Sequence, residues 1–222
     1  MMIPGILAQR RHGGGAPAAF PVIRNAQAVA STGADETLTL NYSASAGDLV
    51  IVVFGQRASA SFPPSLDDTG WDLLIGNGNA NAPSFVFTKV VAGGGTLTIT
   101  PGLPPQYCAA VVIVIEAGTH QGAVENATST GSGSPNPTPL TPSWGAAKTL
   151  WIATYIQAYG STVSSYPLPN NQLHARSGTT SSNISTAMCA DSQEVETLDP
   201  ATFSVSNTAG YTGRTLAVRP AA

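Results

Sequence analysis

The sequence is poor in charge. Only 9% of its 222 residues are Asp, Glu, Lys or Arg, against 42% hydrophobic. Its surface must therefore rely on Ser, Thr, Asn, Gly and Ala, a composition common in chains packed inside assemblies. The few charges are also unevenly placed. Residues 1–24 carry Arg10, Arg11 and Arg24 and no acid, while the other six basic residues stand against all 12 acids. The acidic body has no clustered basic face, so nucleic acid is not an expected partner. A basic start on an acidic body fits docking to a neighbouring protein. Cysteine is scarce as well. Cys108 and Cys189 stand alone, without the CxxC spacing of a metal or redox motif. Both lie in strand-like runs, as buried thiols or as one inter-strand disulfide. No apolar run approaches the roughly 20 residues of a spanning helix, so no membrane partner is expected. The opening MMIPGILAQRRHGGG lacks a basic region ahead of its short apolar part, which Pro4 and Gly5 interrupt. That is not the pattern of a secretory signal, and residence in a cytoplasm until assembly is expected. A sustained 3.6-residue period with caps is missing too, which predicts essentially no helix.

What is present is turn residues and strands. The 23 glycines and 17 prolines punctuate the whole length. From Ala26 the pattern has period 2: Leu38, Leu40 and Tyr42 alternate with Thr37, Thr39 and Asn41. The run DLVIVVFGQ at residues 48–56 is almost continuously apolar, as a strand covered on both faces should be. Further strands are expected at 71–75, 84–91, 96–100, 108–117, 149–157, 182–190, 202–206 and 214–219. Gly93-Gly94-Gly95 reads as a hairpin turn. Residues 128–142, rich in Ser, Gly and Pro, read as a long exposed loop or a crossover. The chain also echoes itself. Leu49, Ile51, Phe54 and Gln56 line up with Leu150, Ile152, Tyr155 and Gln157 at a constant offset of 101. TLTIT at 96–100 echoes TFSVS at 202–206, and 108–116 echoes 214–219. The expected fold is all-β: one antiparallel, jelly-roll-like β-sandwich at residues 25–222 with two pseudo-repeated strand sets, preceded by an extended N-terminal arm at 1–24.

The order of these segments resembles a known family. The chain reads MIPGILAQ, then GDLVIVVFGQRAS, Gly70-Trp71, a buried AAVVIVIEAG, LWIATYIQAYG and a closing TLAVRPAA. It is similar in this to minor virion structural proteins of tailed bacteriophages and prophages, which typically read GDLL, AGW, a long hydrophobic strand, L-x-I-A and A-x-RP. The likeness covers residues 1–11 and then 47 to the end. Two turns depart from it: Asp68-Thr69-Gly70-Trp71 replaces Pro-Ala-Gly-Trp, and Tyr166-Pro167-Leu168-Pro169 replaces Pro-x-Gly-Tyr. The resemblance implies a fibre, spike or decoration component of a head or tail, made in a host bacterial cytoplasm and found in the virion. It implies no cofactor and names no catalytic residue. Its partners would be other virion proteins and further copies of itself, with a trimer as the expected form. The arm would dock through Ile3, Pro4, Ile6, Leu7, Arg10 and Arg11.

Few constellations suggest chemistry. Asp67, Asp68 and Asp72 surround a turn and are either solvated or a calcium site off the EF-hand spacing. His12, His120 and His174 are far apart, and HExxH and GxSxG are absent, so metal and serine-hydrolase chemistry have no motif. Glu116 and Glu125 are the one imaginable glycosidase pair. The second reading is a carbohydrate-binding module contacting a host-surface glycan. It rests on Tyr159, Tyr166, Asn170, Asn171 and His174, because an aromatic face beside amides matches a sugar ring.

Overall fold

The computed structural model describes residues 19–33, 37–57, 63–102 and 107–222. The expected arm residues 1–18, with Ile3, Pro4, Ile6, Leu7, Arg10 and Arg11, lie outside this set. No helix occurs among the described residues. The first half of the chain makes β1 (Ile23–Ala30), β2 (Leu38–Tyr42), β3 (Leu49–Gln56), β4 (Ser65–Leu66), β5 (Asp72–Asn79), β6 (Ala82–Val90), β7 (Gly95–Thr100) and β8 (Cys108–Ile115). The second half makes β9 (His120–Gly133), β10 (Ala147–Gln157), β11 (Val163–Ser165), β12 (Asn170–Arg176), β13 (Ser185–Val195), β14 (Ser204–Val205) and β15 (Ala209–Pro220). Ile23 and Arg24, at the end of the basic start, are thus the first residues of β1.

All pairs are antiparallel. In the first half a five-stranded sheet has the order β1-β8-β3-β6-β5, and a small sheet has the order β2-β7-β4. First therefore pairs with last, second with second-last and third with third-last, the nested order of a rolled hairpin. The second half repeats it. Its five-stranded sheet, read from the other edge, is β9-β15-β10-β13-β12, and β11 pairs with β14. A bridge between Leu140 and Leu198 stands where Leu40 pairs with Leu97. Two expectations need correction. Gly93–Gly95 do not close a hairpin, because β6 belongs to the large sheet and β7 to the small one. Residues 128–133 are not loop: they finish the 14-residue β9, paired along β15.

The two five-stranded sheets face each other and form the central sandwich, one sheet from each strand set. β1 lies over β12, β8 over β13, β6 over β10 and β15, and β5 over β15 and β9. Apolar side chains from both sheets fill the space between them, among them Ile51, Val53, Val111, Ile113, Ile152, Met188 and Leu216. The small sheets cover the outer faces, so the molecule has four layers. Val50, Val52 and Phe54 meet Leu40, Leu97 and Ile99 of the first small sheet. Trp151 and Tyr155 meet Phe203 under the second. β3 is buried along its whole length for this reason. β2, covered on one face only, alternates buried and exposed. Cys108 and Cys189 are both buried thiols, under different outer layers.

The likeness between halves extends to single contacts. Thr96 donates to Asn41 Oδ1 at 2.9 Å, and Thr141 and Thr197 share a hydrogen bond at 2.6 Å in the matching place. Gln56 accepts from Gly102 N at 3.0 Å, and Gln157 donates to the Asn207 carbonyl at 3.2 Å. Each glutamine thereby ties the last residue of a central strand to the connection before the final strand of its half. Gly55 and Ile156 hold equivalent positions in β3 and β10, and they touch. A Cβ at Gly55 would lie 2.3 Å from Ile156 Cγ2. One half has kept nothing at this position and the other a branched side chain, so the two sheets fit each other as an unlike pair.

Candidate functional site

Strand direction gives the molecule two ends. Ile23, Leu49 and Ile115 share one end of the first large sheet, and Ala30, Gln56 and Cys108 the other. The first end is proximal here, because both ends of the described chain meet there. Val22 N donates to Thr119 Oγ1 at 3.1 Å, Glu116 N donates to the Val22 carbonyl at 2.9 Å, and Ala221 N donates to the Thr119 carbonyl at 3.1 Å. The linker between the halves, residues 116–119, thus clasps the entering and the leaving chain together. Phe20, just before β1, lies under Lys148 Nζ at 5.8 Å, and Trp144 stacks with Arg219 at 5.9 Å.

The proximal end is fastened by Asp48. Its buried carboxylate accepts from Arg24 Nε at 2.7 Å, Ser45 N at 2.7 Å and Ala117 N at 2.8 Å. One side chain so joins β1, the turn before β3 and the linker. Burial alone would raise this carboxyl, but the two N–H groups and the Arg24 guanidinium outweigh it and hold it below the ordinary value. The ion is therefore favoured more in the folded state than in the unfolded chain. Its contribution is complete above the unfolded value of about 3.9 and is lost as pH falls through the lower folded value. Urea midpoints recorded from neutral to acid pH should drop more steeply for the native chain than for Asp48→Asn, which should start lower at neutral pH. Parallel curves would contradict this role. His120, in the same region, accepts from Gly122 N at 2.9 Å, and burial holds its imidazole below the usual value against the pull of Gly47 and Asp48.

The distal end is built from connections. Arg57 donates from Nε to the Ser181 carbonyl and from Nη1 to the Asn81 carbonyl, each at 3.2 Å, which ties the two halves together there. Thr212 accepts from Asn79 N and donates to the Ala82 carbonyl, both at 2.8 Å, across the same boundary. Beside it Arg214 is fully buried. It donates to Ser84 Oγ at 3.1 Å, the Ser84 carbonyl at 2.8 Å and Thr128 Oγ1 at 2.6 Å. Burial pushes its value down to about 10, so it stays protonated at neutral pH. All ten described acids lie away from the distal connections, toward the proximal end or along the middle of the strands; Asp35 and Glu36 fall outside the described residues.

Several of the residues singled out for sugar binding make internal contacts. Tyr166, partly buried, packs its ring 6.0 Å from Phe203, against the core under the second small sheet, and burial raises its phenol. His174 donates from Nε2 to the Ser161 carbonyl at 2.7 Å, and burial lowers its imidazole. Asn170 donates to Asp191 at 3.1 Å, Asn171 is exposed with φ 49°, and Tyr159 is half-buried at the distal end of β10. Of the turn acids, Asp68 accepts from Lys89 Nζ at 2.6 Å and Trp71 Nε1 at 3.1 Å, while Asp67 accepts from Thr98 N at 2.8 Å. No group of three His, Cys, Asp or Glu able to hold a metal occurs among the described residues. Glu125, from the imagined acid pair, accepts from both the backbone N–H and the hydroxyl of Ser143. The residues that sequence reading missed are Asp48, whose only signal is its place ahead of a buried strand, and Arg214, a cation within a strand-like run.

Comparison with known proteins adds little. No protein-family model matches the chain, and no curated protein does. Among solved structures, the PBSX exported protein XepA aligns over 89% of this chain and 86% of its own, at 12% identity. The TM-score of that alignment is 0.20, which carries no argument about fold or function.

Proposed function

We propose that this chain is a non-enzymatic structural component of a phage or phage-like particle, of the fibre, spike or decoration type. Its N-terminal segment anchors it to a virion partner, and copies assemble into a symmetric homo-oligomer, a trimer in the simplest case. The observation that carries the reading is the placement of the chain ends. Val22, just before β1, lies at the proximal end, beside Ala221 and the linker, while the loops 158–162, 177–184 and 206–208 occupy the opposite end. A body held at one end presents the other. The low charge and the segment order shared with minor virion proteins support the same reading. A structural role also fits the use of the acids: Asp48, Asp67, Asp68 and Glu125 all accept hydrogen bonds that fix turns or connections.

Purified particles should capture the full-length chain and fail to capture a chain lacking residues 1–12 that folds normally by circular dichroism. Equal capture of both would place docking in the sandwich and remove the arm from the account. Capture of neither would remove the particle.

A further inference from the structure

We infer that the fold is mechanically directional, strong when load runs from the N-terminus to the distal end and weak when the two chain ends are pulled apart. The biological meaning rests on the anchored-end reading above; the directionality belongs to the isolated chain.

The argument follows from strand direction. β1 enters at the proximal end and pairs with β8 from Ile23–Ile115 to Ala30–Ala109. A pull on residue 22 away from the distal end drags β1 lengthwise along β8, so every bond of that ladder must distort together. The ladder has side-chain support at the loaded end. Arg24 is held by Asp48 at 2.7 Å, Gln27 donates to the Asn41 carbonyl of β2, and Asn25 donates to the Ser43 carbonyl just past it. β15 has the mirrored situation. It starts at the distal end, and a load applied just before Ala209 shears it against β10 on one side and β9 on the other. Pulling between the chain ends is different. Val22 and Ala221 both bond to Thr119, so the two points of attachment start side by side. The force then acts across the strands, and the ladders of β1 and β15 open one pair at a time from their proximal ends. Hydrogen bonds that break singly resist far less than bonds that must break at once.

Single-molecule pulling on the full-length chain tests this. One tether is the N-terminus; the other is either Ala222 or a cysteine introduced as Thr208→Cys. Thr208 is exposed between β14 and β15, and the native Cys108 and Cys189 are buried, so the added thiol is the one available to the handle. Thr179→Cys, exposed between β12 and β13, gives a second distal attachment should the first disturb folding. The first rupture should need a severalfold higher force with either distal tether than with the C-terminal one, at equal pulling speed. Equal forces, or a higher force between the chain ends, would overturn the inference. Neither result alters the particle-capture experiment, so the two ideas fail separately.

Discussion

Replacing Gly55 with valine is expected to destabilise the protein by about 3 kcal/mol, toward the upper end of what overpacking a core costs. A Cβ there would sit 2.3 Å from Ile156 Cγ2, 2.6 Å from Cγ1 and 2.8 Å from Cδ1. Isoleucine is branched at Cβ and stiff, so turning one branch away brings the other in. Relief would require the two large sheets to separate locally, where Ile51, Val53 and Ile152 are also packed. Ile156→Ala alone should cost about 2–5 kcal/mol through the cavity it leaves. The double change Gly55→Ala with Ile156→Ala should cost clearly less than the sum of the singles, because the new methyl occupies space the isoleucine vacates. Urea midpoints with unchanged slopes measure each value. Additive costs would mean that the close approach of β3 and β10 does not hold the halves in register.

Arg214→Ala should be as damaging, at about 3–5 kcal/mol, from two sources that add: a cavity between the sheets and buried oxygens left without a donor. Those oxygens are the Ser84 hydroxyl and carbonyl and the Thr128 hydroxyl. Arg214→Met separates the two. It restores most of the volume but offers no donor, and should recover part of the loss, leaving about 1–3 kcal/mol for the orphaned groups. If methionine were as stable as the native residue, the guanidinium would be a filler rather than a fastener, as buried charges replaced by apolar groups sometimes prove to be.

These two positions mark where the sequence could be read and where it could not. The central strands β3 and β10 were legible because being covered on both faces demands unbroken apolar runs. The echo between them was legible because Leu49 to Gln56 and Leu150 to Gln157 answer the same demand. That Gly55 and Ile156 touch was not, since contact between equivalent positions depends on how the halves face each other. The turn at Gly93–Gly95 was misread because local sequence is the same whether a chain doubles back in its own sheet or crosses to another; only the pairing of β7 with β2 decides. Residues 128–133 lacked an apolar face because they end an edge strand, half-buried or exposed, so they looked like linker. The partners of Arg214 and Tyr166 were not legible for a shared reason: the polar groups that accept from the arginine, and the Phe203 ring beside the tyrosine, lie far away in sequence. Asp48 falls between these cases, since a carboxylate ahead of a buried strand is common, and Arg24 and Ala117 become its partners only once β1 and the linker are in place.

The most direct test of the central claim uses intact particles carrying the chain with one accessible cysteine at either end. Thr208→Cys places the thiol among the distal connections, and Glu196→Cys places it on an exposed residue just past the proximal end of β13. A bulky maleimide should label position 208 readily on the particle and leave 196 protected, while both react in the free protein. Equal labelling of 196 on the particle, or protection of 208, would contradict the claim that this chain is held by its proximal end and presents the distal one.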